Sequence, residues 1–233
     1  MESKETMHSY ANKPRATEGF QSAIRETGAE IMAFFIDSHD EAGLVPMMIH
    51  KNMMATMLIG QSVINDNYKK IATVQDIIIA PSGKASLIVV ADNGFMGIGK
   101  KVVAFDYNRV VTRRYDGNIM MLISHDMMKR AADFSYDPKD ADKSRITAAG
   151  SISTNNLLNG DVLDHEGVKM ANIENVYFRH ADLTQIIVGF HKTPGIIGGL
   201  ASFDYDDPRM IQKNKKVDFQ LTSNQAAYFK RRD

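Results

Sequence analysis

The chain has 233 residues, with 28 Lys plus Arg against 28 Asp plus Glu and a formal net charge of zero, so it lacks the basic surplus by which proteins grip a nucleic-acid backbone. Cysteine is absent, which removes disulfides, thiolate zinc sites and a cysteine nucleophile from consideration. Apolar residues at 44% and charged residues at 24% are enough to close one large core or two small ones, and a disordered chain is excluded.

Residues 1–16 are polar and are expected to be disordered. Residues 17–52 form an N-terminal helical or extended segment. From Thr17 to Ile36 the apolar residues Phe20, Ile24, Ile31, Phe34 and Phe35 recur at helical spacing. They predict an amphipathic helix that packs on the first domain or docks a partner through that stripe. The run Ile31–Ile36 is too short to cross a bilayer. Its acidic flank lacks the basic start of a secretory leader, so the cytoplasm is the default expectation, and an exported compartment the alternative for a trimmed chain. "DSHDEAG" gathers Asp37, His39, Asp40 and Glu41 just after this helix, where a solvated loop is expected in preference to a metal site. "MMIHKNMMATM", residues 47–57, sets five methionines beside His50. Thioethers in such a cluster bind Cu(I), but methionine is also the common filler of irregular cores.

The next 85 or so residues (53–137) read as short strands separated by turn residues. Gln61 to Asn65, Ile71 to Ile79, Ala85 to Asp92, Val102 to Tyr107, Val110 to Arg114 and Asn118 to Ile123 are the strand candidates, punctuated by Asn-Asp-Asn, Pro81-Ser82-Gly83 and Tyr-Asp-Gly. Ser124 is placed to cap a short helix running to about Ala132. Within this region "DNGFMGIGKK" nearly spells a phosphate-binding loop, with Gly94, Gly99 and Lys100 in register but Lys101 where Ser or Thr should stand. Such a loop needs a helix after it to present amides to phosphate. The following "KVVAFDY" is β-branched and aromatic and predicts another strand, so the glycines are read as a hairpin turn and no nucleotide, cofactor or metal is expected.

The pattern then repeats. "VINDNYKKIATVQDIII" from Val63 lies over "VLDHEGVKMANIENVYF" from Val162 at an offset of 99, and "LIVV" from Leu87 falls on "IIVG" from Ile186 at the same offset. One residue is then lost. "GIGKKVVAFDY" from Gly97 aligns with "GIIGGLASFDY" from Gly195, and Phe105-Asp106-Tyr107 recurs as Phe203-Asp204-Tyr205. The turn glycines Gly94, Gly97 and Gly99 are matched by Gly195 and Gly198, without a lysine. Thr222 opens the second copy of the helix. Residues 138–152, polar and poor in large apolar side chains, are expected to link a domain at 53–137 to a second, divergent one at 153–233.

Leu58-Ile59-Gly60, Asp76, Pro81-Ser82-Gly83, Gly94-Phe95-Met96-Gly97-Ile98-Gly99-Lys100 and Phe105-Asp106 together resemble the PRC-barrel family, named for the cytoplasmic domain of the photosynthetic reaction centre H subunit. The resemblance implies an all-β fold: two small PRC-type β-barrels in tandem, a few short helices, and the N-terminal amphipathic helix. It also implies a non-enzymatic docking or organising role with a protein partner or with itself. No His-x-x-His, HExxH or GxSxG pattern occurs, and the only polar positions shared by the copies are Lys70/Lys169 and Asp106/Asp204, a thin basis for a mechanism. Two alternatives stand beside docking: a ribosome- or RNA-associated factor, which the neutral charge opposes, and a Met-rich copper or small-molecule binder.

Overall fold

The computed structural model describes residues 31–36, 44–49, 54–92, 101–113, 118–179, 181–189, 200–205, 209–213 and 216–230. Strands β1 (Ile31–Ile36) and β2 (Leu44–Ile49) come first. A first set follows: β3 (Ser62–Ile64), β4 (Lys70–Ile79), β5 (Ala85–Ala91), β6 (Val102–Asp106), β7 (Val110–Arg113) and β8 (Ile119–Met121), then helix α1 (His125–Arg130). A connecting stretch carries β9 (Asp133–Ser135) and β10 (Ser144–Ile146). β11 (Ile152–Ser153) and helix α2 (Thr154–Leu158) lead into β12 (Asp161–Leu163), β13 (Lys169–Arg179), β14 (Asp182–Gly189), β15 (Leu200–Asp204), β16 (Arg209–Lys213), β17 (Lys216–Gln220) and helix α3 (Ser223–Lys230).

The two sets build two sheets with one strand order. The first runs β6-β5-β4-β3-β8-β7, and the second contains β15-β14-β13-β12-β17-β16. The pairing of β3 with β8 is parallel, as is that of β12 with β17. The ends of the first path, β6 and β7, are joined in the chain by a single 3-10 turn at Tyr107–Arg109, which curls the sheet upon itself. The runs Ile77–Ile79 of β4 and Leu87–Ala91 of β5 are continuously apolar because both their faces are covered, and Val74, Ile77, Ile78, Val89 and Val90 are fully buried. A single apolar cluster contains Val63, Val90 and Phe105 from the first half and Val162, Phe178 and Phe203 from the second. The halves therefore share a core.

The sequence alignment needs one correction. Leu87 pairs with Asp106 in the first sheet and Gln185 pairs with Asp204 in the second. The equivalent of "LIVV" is therefore Gln185 to Val188, at an offset of 98. The missing residue is lost in the β4–β5 turn, not after β5, because a turn can shorten without disturbing the ladders on either side.

The N-terminal expectation is corrected as well. Ile31, Phe34 and Phe35 lie in a strand: β1 pairs antiparallel with β2 and parallel with β15, with Phe34 opposite Ala201 and Phe35 opposite Ser202. A six-residue apolar run rich in Ile and Phe suits a strand as well as a helix turn, and an open sheet edge decides in favour of the strand. That edge belongs to the second sheet, not to the first domain on which the helix was expected to pack. Phe20 and Ile24 lie outside the described residues, as do Asp37, His39, Asp40, Glu41 and His50.

The helix caps form where the sequence places them. Ser124 Oγ accepts from the Met127 amide at 3.2 Å. Thr222 and Gln225 make a reciprocal capping box, with Gln225 N donating to Thr222 Oγ1 at 3.3 Å and Thr222 N donating to Gln225 Oε1 at 2.9 Å. The connecting stretch is not free coil. β10 pairs in parallel with β9, and the Arg145 guanidinium donates to Ala104 O at 3.0 Å and pairs with Asp106 at 2.6 Å. It thereby caps the edge of β6, as β1 covers the equivalent edge of β15.

Candidate functional site

The most organised polar region is the contact between the halves, and its geometry is reciprocal. Ser153 pairs with Ile78 in the first sheet, and Met54 forms an isolated bridge to Tyr177 in the second. Adding 99 to Met54 and subtracting 99 from Tyr177 turns the second pair into the first. Each half thus sends the segment before its own first strand across to the long strand of the other. The β4–β5 and β13–β14 turns also meet. Ala85 N donates to Ala181 O at 2.7 Å and Leu183 N to Gly83 O at 2.9 Å, two bonds exchanged by an offset of 98. Lys84 and Asp182, equivalent under that offset, face each other as a bridge at the centre. These relations define a local two-fold axis.

A bulge in each long strand aims one polar side chain at the incoming segment. The ladder slips between Val74 and Asp76 in β4, and between Ile173 and Asn175 in β13. Asp76 is fully buried. Its Oδ1 accepts from Ile77 N at 2.8 Å and Asn155 N at 3.2 Å, and its Oδ2 from Ser153 Oγ at 2.5 Å and Tyr136 Oη at 2.8 Å. Burial lifts its carboxyl above the usual range, against the pull of these four donors. Burial and the neighbouring Asp76 charge also push the Tyr136 phenol up. Asn175 repeats the backbone half of this pattern, its Oδ1 accepting from Val176 N at 3.0 Å and Thr56 N at 3.3 Å. Its amide nitrogen donates where Asp76 accepts, to Thr56 Oγ1 at 2.6 Å and to Met54 Sδ at 3.4 Å.

The repeated Phe-Asp-Tyr triplets serve the same contact. Phe105 and Phe203 are buried in the shared core. The Tyr107 ring packs against Phe178 of the other half with centroids 6.4 Å apart, and burial raises its phenol to about 12. Tyr205 crosses the other way. A Cβ on Gly83, whose φ is +78°, would stand 3.2 Å from the Tyr205 ring, so the predicted Pro-Ser-Gly turn needs glycine for its backbone and for this approach.

Of the other sequence candidates, Met54 is buried and Met57 half-buried, packed with Ile187, Tyr177 and Leu200 on the outer face of the second sheet. The equivalents of these methionines in the second copy, Ser153 and Asn156, are polar, and Phe134 covers that face of the first sheet, with Ile78, Leu87, Val89 and Ala104. Lys169 binds Asp161 at 2.7 Å in a cluster completed by Lys216 and Asp218. Burial pulls the Asp161 carboxyl up, but the two lysines outweigh it and hold it below its ordinary value. The first half has Ser62 and Asn118 at the places of Asp161 and Asp218, since Ile119 and Phe219 hold the same ladder position, and its Lys70 is exposed. Among the described residues no group of three or more His, Cys, Asp or Glu side chains could hold a metal ion. Gly94, Gly97, Gly99, Gly195 and Gly198 lie outside the described residues. Their flanks are clear for the first copy: Ala91 pairs with Val102 in an antiparallel ladder, and a strand, not a helix, follows Lys101. Lys101 itself reaches Lys129 O at 2.7 Å, tying β6 to the end of α1.

The sequence named Asp76 only as a matching motif position and passed over Asn175, Ser153, Thr56 and Tyr136. No periodicity marks them, and the one available signal was that Asp76 and Asn175 occupy the same place in the repeat.

The region is thus a β-rich assembly of two alike sheets joined through polar contacts at a local two-fold. The PRC-barrel domain family's model matches residues 51–126, about a third of the chain, covering the first half through the start of α1. No curated protein matches the chain. No helix among the described residues is long and apolar enough to cross a membrane.

Proposed function

We propose that the chain is a non-enzymatic docking subunit made of two PRC-type barrels in tandem, at 53–137 and 153–233, joined by 138–152. The common strand order and the reciprocal crossing contacts support a second barrel beyond the matched region. The antiparallel pairing of the strands on either side supports a hairpin role for Gly94, Gly97, Gly99, Gly195 and Gly198. The fully buried Asp76 carboxylate accepts four hydrogen bonds, two of them from Ser153 and Asn155 across the contact, which supports a structural role for it.

What remains for recognition is the outside. Tyr68 is 64% exposed and Leu122 60% exposed. The parallel register of Ile64 with Met120 brings the turn after β3 and the residue after β8 out at one end of the sheet. Tyr68 holds φ at 59°, a left-handed conformation that costs a side-chain-bearing residue about 1–2 kcal/mol. At the equivalent place the second half has Gly167, also left-handed at 85°. In the ladder Gln220 stands opposite Leu163 as Met120 stands opposite Ile64, and the Gln220 amide donates to Asp164 O and His165 O. A strained, exposed aromatic at the same end of the sheet as an exposed leucine is the observation that carries the reading, since Tyr anchors are enriched at protein interfaces. Residues 31–36 are sheet strand, so truncation there would test the fold and not docking.

The experiment is affinity capture with the full chain and with a Tyr68→Gly/Leu122→Gln variant, which gives the turn the second half's glycine and makes the exposed leucine polar. The reading expects one stoichiometric protein partner that the variant loses while keeping its thermal midpoint. Equal capture by both proteins would place recognition elsewhere.

A further inference from the structure

We infer that the polar positions at the two-fold form a pairing code, which makes each half complementary to the other half and not to a second copy of itself. At the centre, equivalent positions carry opposite charges: Lys84 Nζ lies 3.6 Å from Asp182 Oδ1. Two first halves placed about the same axis would set Lys84 against Lys84, and two second halves Asp182 against Asp182. Like charges directly opposite in a ladder are destabilising. The pair is solvent-exposed, so its strength is small and its sign is what discriminates.

The buried pairs sharpen the rule. Asp76, which only accepts, faces Ser153, which donates. Asn175, which donates through its amide, faces the Met54 thioether, which only accepts. In a pair of first halves Met54 would occupy the place of Ser153 and bring an acceptor to the Asp76 carboxylate. Oδ2 would keep Tyr136 and could gain the Thr56 hydroxyl, which lies 2.6 Å from the equivalent Asn175 nitrogen and can donate as well as accept. The buried fault is therefore the thioether set against the carboxylate, and it adds to the Lys84 clash. In a pair of second halves Asn175 and Ser153 are compatible, and the Asp182 clash is the mismatch. Both self-pairings therefore carry a fault that the observed pairing lacks. A second copy of the chain can join through this surface only by exchanging halves, first with second, so the arrangement of the two barrels is fixed in kind.

The test begins with the full chain carrying a protease site in the exposed turn 141–143. The chain is cut, unfolded in denaturant, refolded as a mixture and weighed by native mass spectrometry. The code predicts complexes of one first half with one second half, and first-half homodimers in comparable amount would overturn it. Should the cut pieces not refold, the uncut chain decides through Asn175→Asp, Met54→Ser and the double variant. Asn175→Asp sets an acid against Met54, leaves the Thr56 hydroxyl to turn and donate to it, and should lower the thermal midpoint by about 2–5 °C. The double variant, which restores a Ser opposite the acid, should melt well above the sum of the two single effects. Additive losses, or an Asn175→Asp variant as stable as the parent, would refute the code.

Discussion

The two halves share a strand order and a core but differ in how their polar positions are settled. The second half is tied internally. Gln220 stitches the β12–β13 turn, the Asp161–Lys169–Lys216–Asp218 cluster joins β12, β13 and β17, and Gly160 lets β17 come close. The first half has Ser62, Asn118 and Met120 where Asp161, Asp218 and Gln220 stand in the second, exposes Tyr68 and Leu122, and uses the fully buried Asp76 carboxylate for the contact with its neighbour. Apolar positions set the shape that both halves need. Polar positions were free to diverge, and they did so as partners: Asp76 with Ser153, Asn175 with Met54, Lys84 with Asp182.

The sharpest break in this comparison is at Gly160, whose equivalent in the first half is Gln61. A Cβ at Gly160 would stand 1.9 Å from Val217 O and 2.9 Å from Leu157 O, both backbone atoms that cannot step aside. Gly160→Ala should cost roughly 4 kcal/mol or more, whereas Gln61→Ala should stay within about 0.5 kcal/mol. Urea unfolding of the two variants measures the difference.

Next in size is the contrast between Asp76 and Asn175. Asp76→Ala orphans four donors and should cost about 2–4 kcal/mol, and Asn175→Ala about 1–2 kcal/mol. The two also differ with pH. The folded Asp76 carboxyl is held above its ordinary value by burial. Its contribution is therefore complete below the ordinary carboxylate value and is lost as pH rises through the folded one. The stability advantage of the parent over Asp76→Asn should shrink across that rise, and paired denaturant titrations at stepped pH follow it. Asp161 has the opposite sign. Its lowered carboxyl contributes above the ordinary value and loses that contribution as pH falls through the folded one.

The smallest effect is at the turns. Tyr68→Gly relieves a left-handed residue and should leave stability equal or raised by up to about 1 kcal/mol, while Gly167→Ala, at φ 85°, should lose about 1 kcal/mol. Thermal midpoints of the two variants separate the strained turn from the relaxed one.

Much of the frame was legible in the residues. The six strands from Ser62 to Met121 fall within a residue or two of their expected limits because Val and Ile runs bounded by Asn, Gly and Pro leave little choice. Ser124 and Thr222 announced their helices by capping chemistry. Ile31–Ile36 misled because a short apolar run fits two periodicities and only its neighbour β15 decides between them. The contact site was nearly silent. Asp76 and Ser153 are 77 residues apart, and hydrogen-bond complementarity between such distant positions leaves no local pattern. Arg145 was hidden for the same reason, in a polar stretch that read as linker.

The reciprocal contact itself can be probed directly, since the chain has no cysteine of its own. Lys84 and Asp182 are bridge partners across the two-fold, and paired strand positions lie about 4.5–5.5 Å apart, within disulfide reach. A Lys84→Cys/Asp182→Cys variant should oxidise under mild conditions to a monomer with one internal disulfide, seen as a loss of both free thiols without a rise in mass to the dimer. A variant that keeps two free thiols, or cross-links only between chains, would contradict the joined halves on which the account rests.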